Sequence, residues 1–178
     1  MSCSKKISVC IPFYNIESYV SRCLDSVLGN TYQNLEVICV NDGSSDGTSA
    51  LLHTYEEKDP RVIVIDKKNG GVVSARNAAI DVATGDFISF IDGDDWIHHQ
   101  FFEVLMSVQK QTSADAVICG YEKCADIVQD VEISKEVVYT LADTTALLNN
   151  ALARTRVCGR IYARELVSKQ AGASDIVM

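Results

Sequence analysis

Strand-like and helix-like segments alternate through the first half of the chain, and this alternation constrains the fold more than any other feature. Ile7–Ile11 (ISVCI), Leu35–Val40 (LEVICV), Arg61–Ile65 and Asp86–Ile91 are short runs rich in apolar and β-branched residues. Such runs are the pattern of strands buried on both faces. Between them, Ile16–Leu28 sets Ile16, Tyr19, Val20, Cys23, Leu24, Val27 and Leu28 at helical spacing, with Gly29 as a stop. Further helices are predicted over Asp46–Glu57 (closed by Asp59 and Pro60), Gly71–Ala83 and Ile97–Thr112. Units of this kind make right-handed crossovers, so the fold class is α/β: a mostly parallel sheet flanked by helices. Ligands of such sheets bind beyond the carboxyl ends of the strands. The loops PFYNIE, NDGSSDG, KKNGG and DGDDW lie there, and they hold the most unusual residues of the chain.

After Thr112 the pattern loosens. Ala116–Tyr121 reads as a strand and Val131–Thr140 as an antiparallel or edge strand. Asp143 or Thr144 is placed to cap a helix running to Ala153, and Arg154–Met178 is weakly patterned. The 178 residues suffice for one domain with a real core. A net charge of −8 argues against nucleic acid as the main partner, but not against one phosphorylated small ligand held at a local site. No apolar run approaches the roughly 18 residues of a membrane span, and the short polar start from Met1 to Lys6 does not read as a signal peptide. The seven cysteines are odd in number, lack CxxC spacing and sit partly inside apolar strands. They read as free thiols of a reducing cytoplasm, with no zinc spacing among them.

Asp92, Asp94 and Asp95 place three carboxylates within four residues at the end of the apolar run FISFI. Like charges so close repel, and a hard divalent cation such as Mg²⁺ or Mn²⁺ relieves that repulsion while bridging to substrate phosphates. A lone aspartate there would read as a helix cap. An EF-hand is excluded, because the glutamate it needs falls at His53. Asp42, in Asn41-Asp42-Gly43-Ser44, reads either as part of a simple turn or as an acceptor for a base N–H or a ribose hydroxyl. Asn69-Gly70-Gly71 opens a helix whose backbone N–H groups can approach an anion. Arg76 on its second turn can reach a phosphate or serve in a structural ion pair. Neither a GxGxxG fingerprint nor a Walker loop is present. His53, His98 and His99 read as exposed or capping residues, and Trp96 as packing under the aspartate loop.

Taken in order, ISVCIPFYNIESYVSRCLDSVL, NLEVICVNDGSSDGT and DPRVIVIDKKNGGVVSARNAAIDVATGDFISFIDGDDW resemble glycosyltransferase family 2, whose Rossmann-like fold is called GT-A. The resemblance implies an inverting, metal-dependent transferase that moves a sugar from a nucleoside-diphosphate sugar, commonly a UDP-sugar, to an acceptor hydroxyl. By the same resemblance Pro12, Tyr14 and Glu17 line the nucleoside pocket and Asp42 reads the uracil. Asn69 and Arg76 are nucleotide- and diphosphate-side contacts, Asp92 faces the ribose or the metal, Asp94 holds the metal, and Asp95 supports them. Residues 1–112 are then the donor half and 113–178 a partial acceptor-side half. Gly159–Leu166 resembles the family's lysine-leucine-tyrosine segment and departs from it at Gly159 and Arg160. The family's general base lies further downstream, so it is expected beyond Met178. A nucleotide-sugar-binding module without turnover is the alternative. A nucleotidyltransferase would need a glycine-rich basic loop after the first strand, which PFYNIE does not supply. The implied setting is cytoplasmic bacterial polysaccharide synthesis with a saccharide or lipid-linked acceptor, which leaves room for peripheral association with the inner face of the membrane. Sugar, linkage and oligomeric state are not legible in the residues.

Overall fold

The computed structural model describes residues 4–119, 137–139 and 159–171. The predicted alternation is present: β1 (Ile7–Phe13), α1 (Glu17–Leu28), β2 (Leu35–Asn41), α2 (Thr48–Lys58), β3 (Val62–Asp66), α3 (Gly71–Val82), β4 (Phe87–Phe90) and α4 (Phe101–Thr112). Four further elements follow: β5 (Ala116–Ile118), β6 (Val137–Tyr139), β7 (Arg160–Ala163) and α5 (Arg164–Ala171). The described strands form one sheet of order β3-β2-β1-β4-β7-β5-β6. The first four are mutually parallel. β7 then runs antiparallel between β4 and β5, and β6 pairs antiparallel with β5 at the edge.

Side chains of alternate parity leave each strand on opposite faces, and both faces are buried. Ile7, Val9, Ile11 and Phe13 of β1 meet Val20, Leu24 and Val27 of α1, Leu52 of α2, and Phe102 and Leu105 of α4. Cys10 of β1 and Ile38 and Val40 of β2 meet Ala75, Ala79 and Ile80 of α3 and Val167 of α5. The result is a three-layer helix-sheet-helix sandwich. Strand order doubles back at β1: β2 and β3 lie on one side of it and β4 on the other. Crevices form where the order reverses in this way.

Several boundaries differ from expectation. The fourth helix starts at Phe101, not Ile97. The last turn of α1 and the α1–β2 connection claim the intervening backbone: Asn30 Nδ2 donates to the His98 carbonyl, Thr31 N–H to the His99 carbonyl, and Ile97 N–H to Ser26 Oγ. The second helix starts at Thr48 because Asp46 stays outside and accepts the Thr48 N–H at 3.0 Å. The weakly patterned stretch from Arg154 onward supplies β7 and α5. The strand expected over Val131–Thr140 is described at Val137–Tyr139, and the helix expected near Asp143–Ala153 lies outside the described residues. Cys10, Cys23, Cys39 and Cys119 are free thiols. Burial pushes Cys10 and Cys23 up to about 12, so both stay protonated and inert. Among the described residues, no helix is long and apolar enough to cross a membrane.

Candidate functional site

The end of β1 organises the site. On one side, the Asp42 N–H donates to the Phe13 carbonyl at 2.9 Å as the chain leaves β2. On the other, the Ile91 N–H donates to the Cys10 carbonyl at 3.2 Å as it leaves β4. Gly93 is pressed against the same strand end: a Cβ there would stand 2.7 Å from Ile16 Cδ1 and Phe13 Cδ1 and 2.8 Å from the Pro12 carbonyl oxygen. Only glycine lets the aspartate loop close so tightly on β1. Gly93→Ala should therefore cost about 1–3 kcal/mol through overpacking against backbone. Urea unfolding reads this, and an unchanged midpoint would show that the loop yields freely.

Asp42 is 2% exposed. Its Oδ1 accepts from Lys67 Nζ at 2.6 Å and the Gly70 N–H at 3.0 Å, and its Oδ2 accepts the Gly71 N–H at 2.7 Å. Burial pushes its carboxyl up, but the Lys67 ammonium and the two backbone N–H groups outweigh it and hold the group below the usual carboxylate range. Gly43 turns the chain with φ +76°, and its missing Cβ would stand 2.7 Å from the Asn69 nitrogen. The β2 and β3 exit loops are thus docked on each other. Asn41 extends the tie, accepting the Ser44 N–H at 3.0 Å and donating to Asp66 at 2.6 Å. His53 bridges Asp66 and Glu56, and those two carboxylates raise its pKa. Asn69 is exposed on the lip.

α3 carries the line from this loop to the aspartate cluster. Arg76 on its second turn is 8% exposed and gives Nη2 to Asp92 Oδ1 at 2.6 Å. Among the described residues, its buried Nε has no acceptor. The ion-pair reading of Arg76 is therefore realised within the protein, and the residue faces Asp92. Asp92 is half-buried, its other oxygen has no described partner, and Asp94 is exposed. A divalent cation that retains water and binds phosphate asks for one or two protein carboxylates, and Asp92 and Asp94 fit that demand. Among the described residues, no three His, Cys, Asp or Glu side chains close a metal cage of their own.

The remaining expected residues are less gathered. Pro12 is half-buried at the end of β1 and Tyr14 is 51% exposed beside it. Glu17 turns toward the start of α2, where Oε2 accepts the Gly47 N–H at 2.9 Å, while the Glu17 N–H donates to Asp46 at 3.2 Å. It binds two helix starts together in this state. Trp96 is half-buried with the Arg22 guanidinium 3.1 Å from its ring centre. Sequence reasoning passed over Lys67. Its signal is a cation one step past β3, where the register brings it level with Asp42.

A family model described as glycosyl transferase family 2 matches residues 8–168. Glycosyltransferase GlyA of Streptococcus pneumoniae is 37% identical over 116 residues, which are 65% of this chain and 17% of the relative. The uncharacterized glycosyltransferase EpsJ of Bacillus subtilis is 39% identical over 117 residues, 66% of this chain and 34% of the relative. The chain thus spans well under two thirds of the length of these curated relatives. Among solved structures, S. aureus TarS 1–349 in complex with UDP-GlcNAc superposes with a TM-score of 0.73 at 26% identity, covering 93% of this chain and 47% of that one.

Proposed function

This chain belongs to glycosyl transferase family 2, and on that premise we propose that it binds a nucleoside-diphosphate sugar, a UDP-sugar, across the end of β1 and transfers the sugar with inversion to an acceptor hydroxyl. The observation that carries the reading is the double attachment of α3. Its first turn meets Asp42 through Gly70 and Gly71, and its second meets Asp92 through Arg76. Five residues of helix rise about 8 Å, a span suited to a nucleoside whose base lies at Asp42 and whose ribose and diphosphate reach Asp92 and Asp94. The solved complexes of TarS with UDP and UDP-GlcNAc favour uridine as the nucleoside.

In this reading residues 1–112 are the donor half and 113–178 belong to the acceptor side. Asp42 accepts from the uracil imide, Pro12 and Tyr14 flank the nucleoside, and Asn69 closes the lip. Arg76 orients Asp92 by holding its Oδ1, and among the described residues the other oxygen has no partner. Mg²⁺ or Mn²⁺ held by Asp92 and Asp94 would neutralise charge on the departing diphosphate. The acceptor oxygen, belonging to a saccharide or lipid-linked saccharide, attacks the anomeric carbon while the bond to the diphosphate oxygen breaks. The acceptor proton passes to a general base. The products are a glycoside of inverted configuration and UDP.

Asp94→Asn tests the metal assignment with little risk to the fold, because Asp94 is exposed. The variant should lose most of the gain in UDP affinity that Mn²⁺ confers on the wild type in calorimetry. An unchanged Mn²⁺ dependence would sink the assignment of Asp94 as a metal ligand.

A further inference from the structure

We infer that Lys67 is a positioning residue for base recognition, pinning the Asp42 carboxylate across the first turn of α3 so that its remaining acceptor site faces the nucleotide base. The inference rests on the UDP-sugar reading above and deepens it. Asp42 leaves β2 directly after the Asn41–Asp66 register pair, and Lys67 leaves β3 at the same level. The Lys67 N–H donates to the Asn41 carbonyl at 3.0 Å, so the sheet itself sets where this side chain begins. Its ammonium reaches Asp42 Oδ1 at 2.6 Å and the Lys68 carbonyl at 2.8 Å. Gly70 leaves room for it, since a Cβ there would stand 3.0 Å from Nζ.

The acceptor sites of Asp42 limit which base it can take. A carboxylate offers about four lone-pair positions on its two oxygens. Lys67, Gly70 and Gly71 occupy three of those on Asp42, two on Oδ1 and one on Oδ2. Among the described residues, one acceptor position remains, on Oδ2, and the carboxylate has no proton to donate. It suits a ring N–H, as in uracil, and offers nothing to the unprotonated ring nitrogen of cytosine. Without Lys67 the carboxylate keeps its backbone partners but loses the cation that selects its rotamer and its charge. Lys67 is 21% exposed, so a direct contact with the diphosphate is the rival role. The two roles differ in what they do to a ligand that has no phosphate.

The test compares UDP, CDP and uridine binding to the wild type, Lys67→Met and Lys67→Arg by calorimetry and ligand-observed NMR, with Mn²⁺ present. Positioning predicts that Lys67→Met weakens UDP and uridine by the same factor, about tenfold for a charge-assisted contact. It also predicts that the UDP/CDP ratio collapses toward one and that Lys67→Arg restores most of it. A loss confined to UDP, with uridine binding and the UDP/CDP ratio untouched, would overturn the inference and make Lys67 a phosphate contact. Unchanged binding of all three ligands would overturn it as well. Should the Met variant fail to fold, Lys67→Gln carries the same expectations without the charge. A wild type that does not bind UDP would instead sink the donor reading, which the control titration reports separately.

Discussion

Asp42→Ala should weaken UDP binding roughly ten- to hundredfold, because a hydrogen bond to a charged acceptor is worth about 1.5–3 kcal/mol. The same substitution should narrow the gap between UDP and CDP, since only uracil offers a ring N–H to that carboxylate. The structure adds a second consequence. Asp42 also receives the Gly70 and Gly71 N–H groups at the start of α3, so its removal uncaps the helix at a cost of about 0.5–2 kcal/mol. Affinity must therefore be measured well below the unfolding midpoint of the variant. Loss of base discrimination is the decisive readout, since simple loosening of α3 would weaken both nucleotides alike. A wild type that binds CDP as tightly as UDP would show that Asp42 does not read the base.

Glu36→Ala should lower folding stability by about 3 kcal/mol at neutral pH, through the loss of charge-assisted bonds and the orphaning of buried donors. Glu36 is 5% exposed on β2. Its carboxylate collects Lys6 Nζ at 2.5 Å, Ser8 Oγ, the Thr84 N–H at 2.6 Å, Thr84 Oγ1 at 2.8 Å and the Gly85 N–H at 2.9 Å. It joins β1, β2 and the approach to β4 at the end of the sheet away from the candidate site. Burial alone would raise its pKa, but the bonds from Lys6, Ser8 and Thr84 prevail and hold it at about 2, against an ordinary 4.5. A depressed folded-state pKa contributes stability in full above the unfolded value and loses it as pH falls toward the folded one. The difference between wild type and variant should therefore be full near neutral pH and shrink between 4.5 and about 2. Urea titrations near neutral pH and near pH 3 measure it, and a difference that does not change with pH would contradict the ionic account.

The residue order alone determined the parallel half of the sheet, the four exit loops and the family. Those features rest on local periodicity. Buried strands read as continuous apolar runs, helices as turns of repeated apolar spacing, and the residues left over fall in the loops. Asp92 and Asp94 were legible for the same reason, being clustered charges next to an apolar strand. The tertiary structure decided what local spacing does not encode. β7 enters the sheet between β4 and β5 by pairing with strands distant in sequence, and a four-residue strand has too short a pattern to announce its partners. Phe101 rather than Ile97 begins α4 because another loop had claimed the backbone between them. The partners of the charged groups were also out of reach: Arg76 turned to Asp92, Glu17 to the start of α2, and Lys67 to Asp42. A charge in a sequence announces that it needs a partner, but only the packing of β1, β2, β3 and α3 around one strand end determines which partner comes within 3 Å.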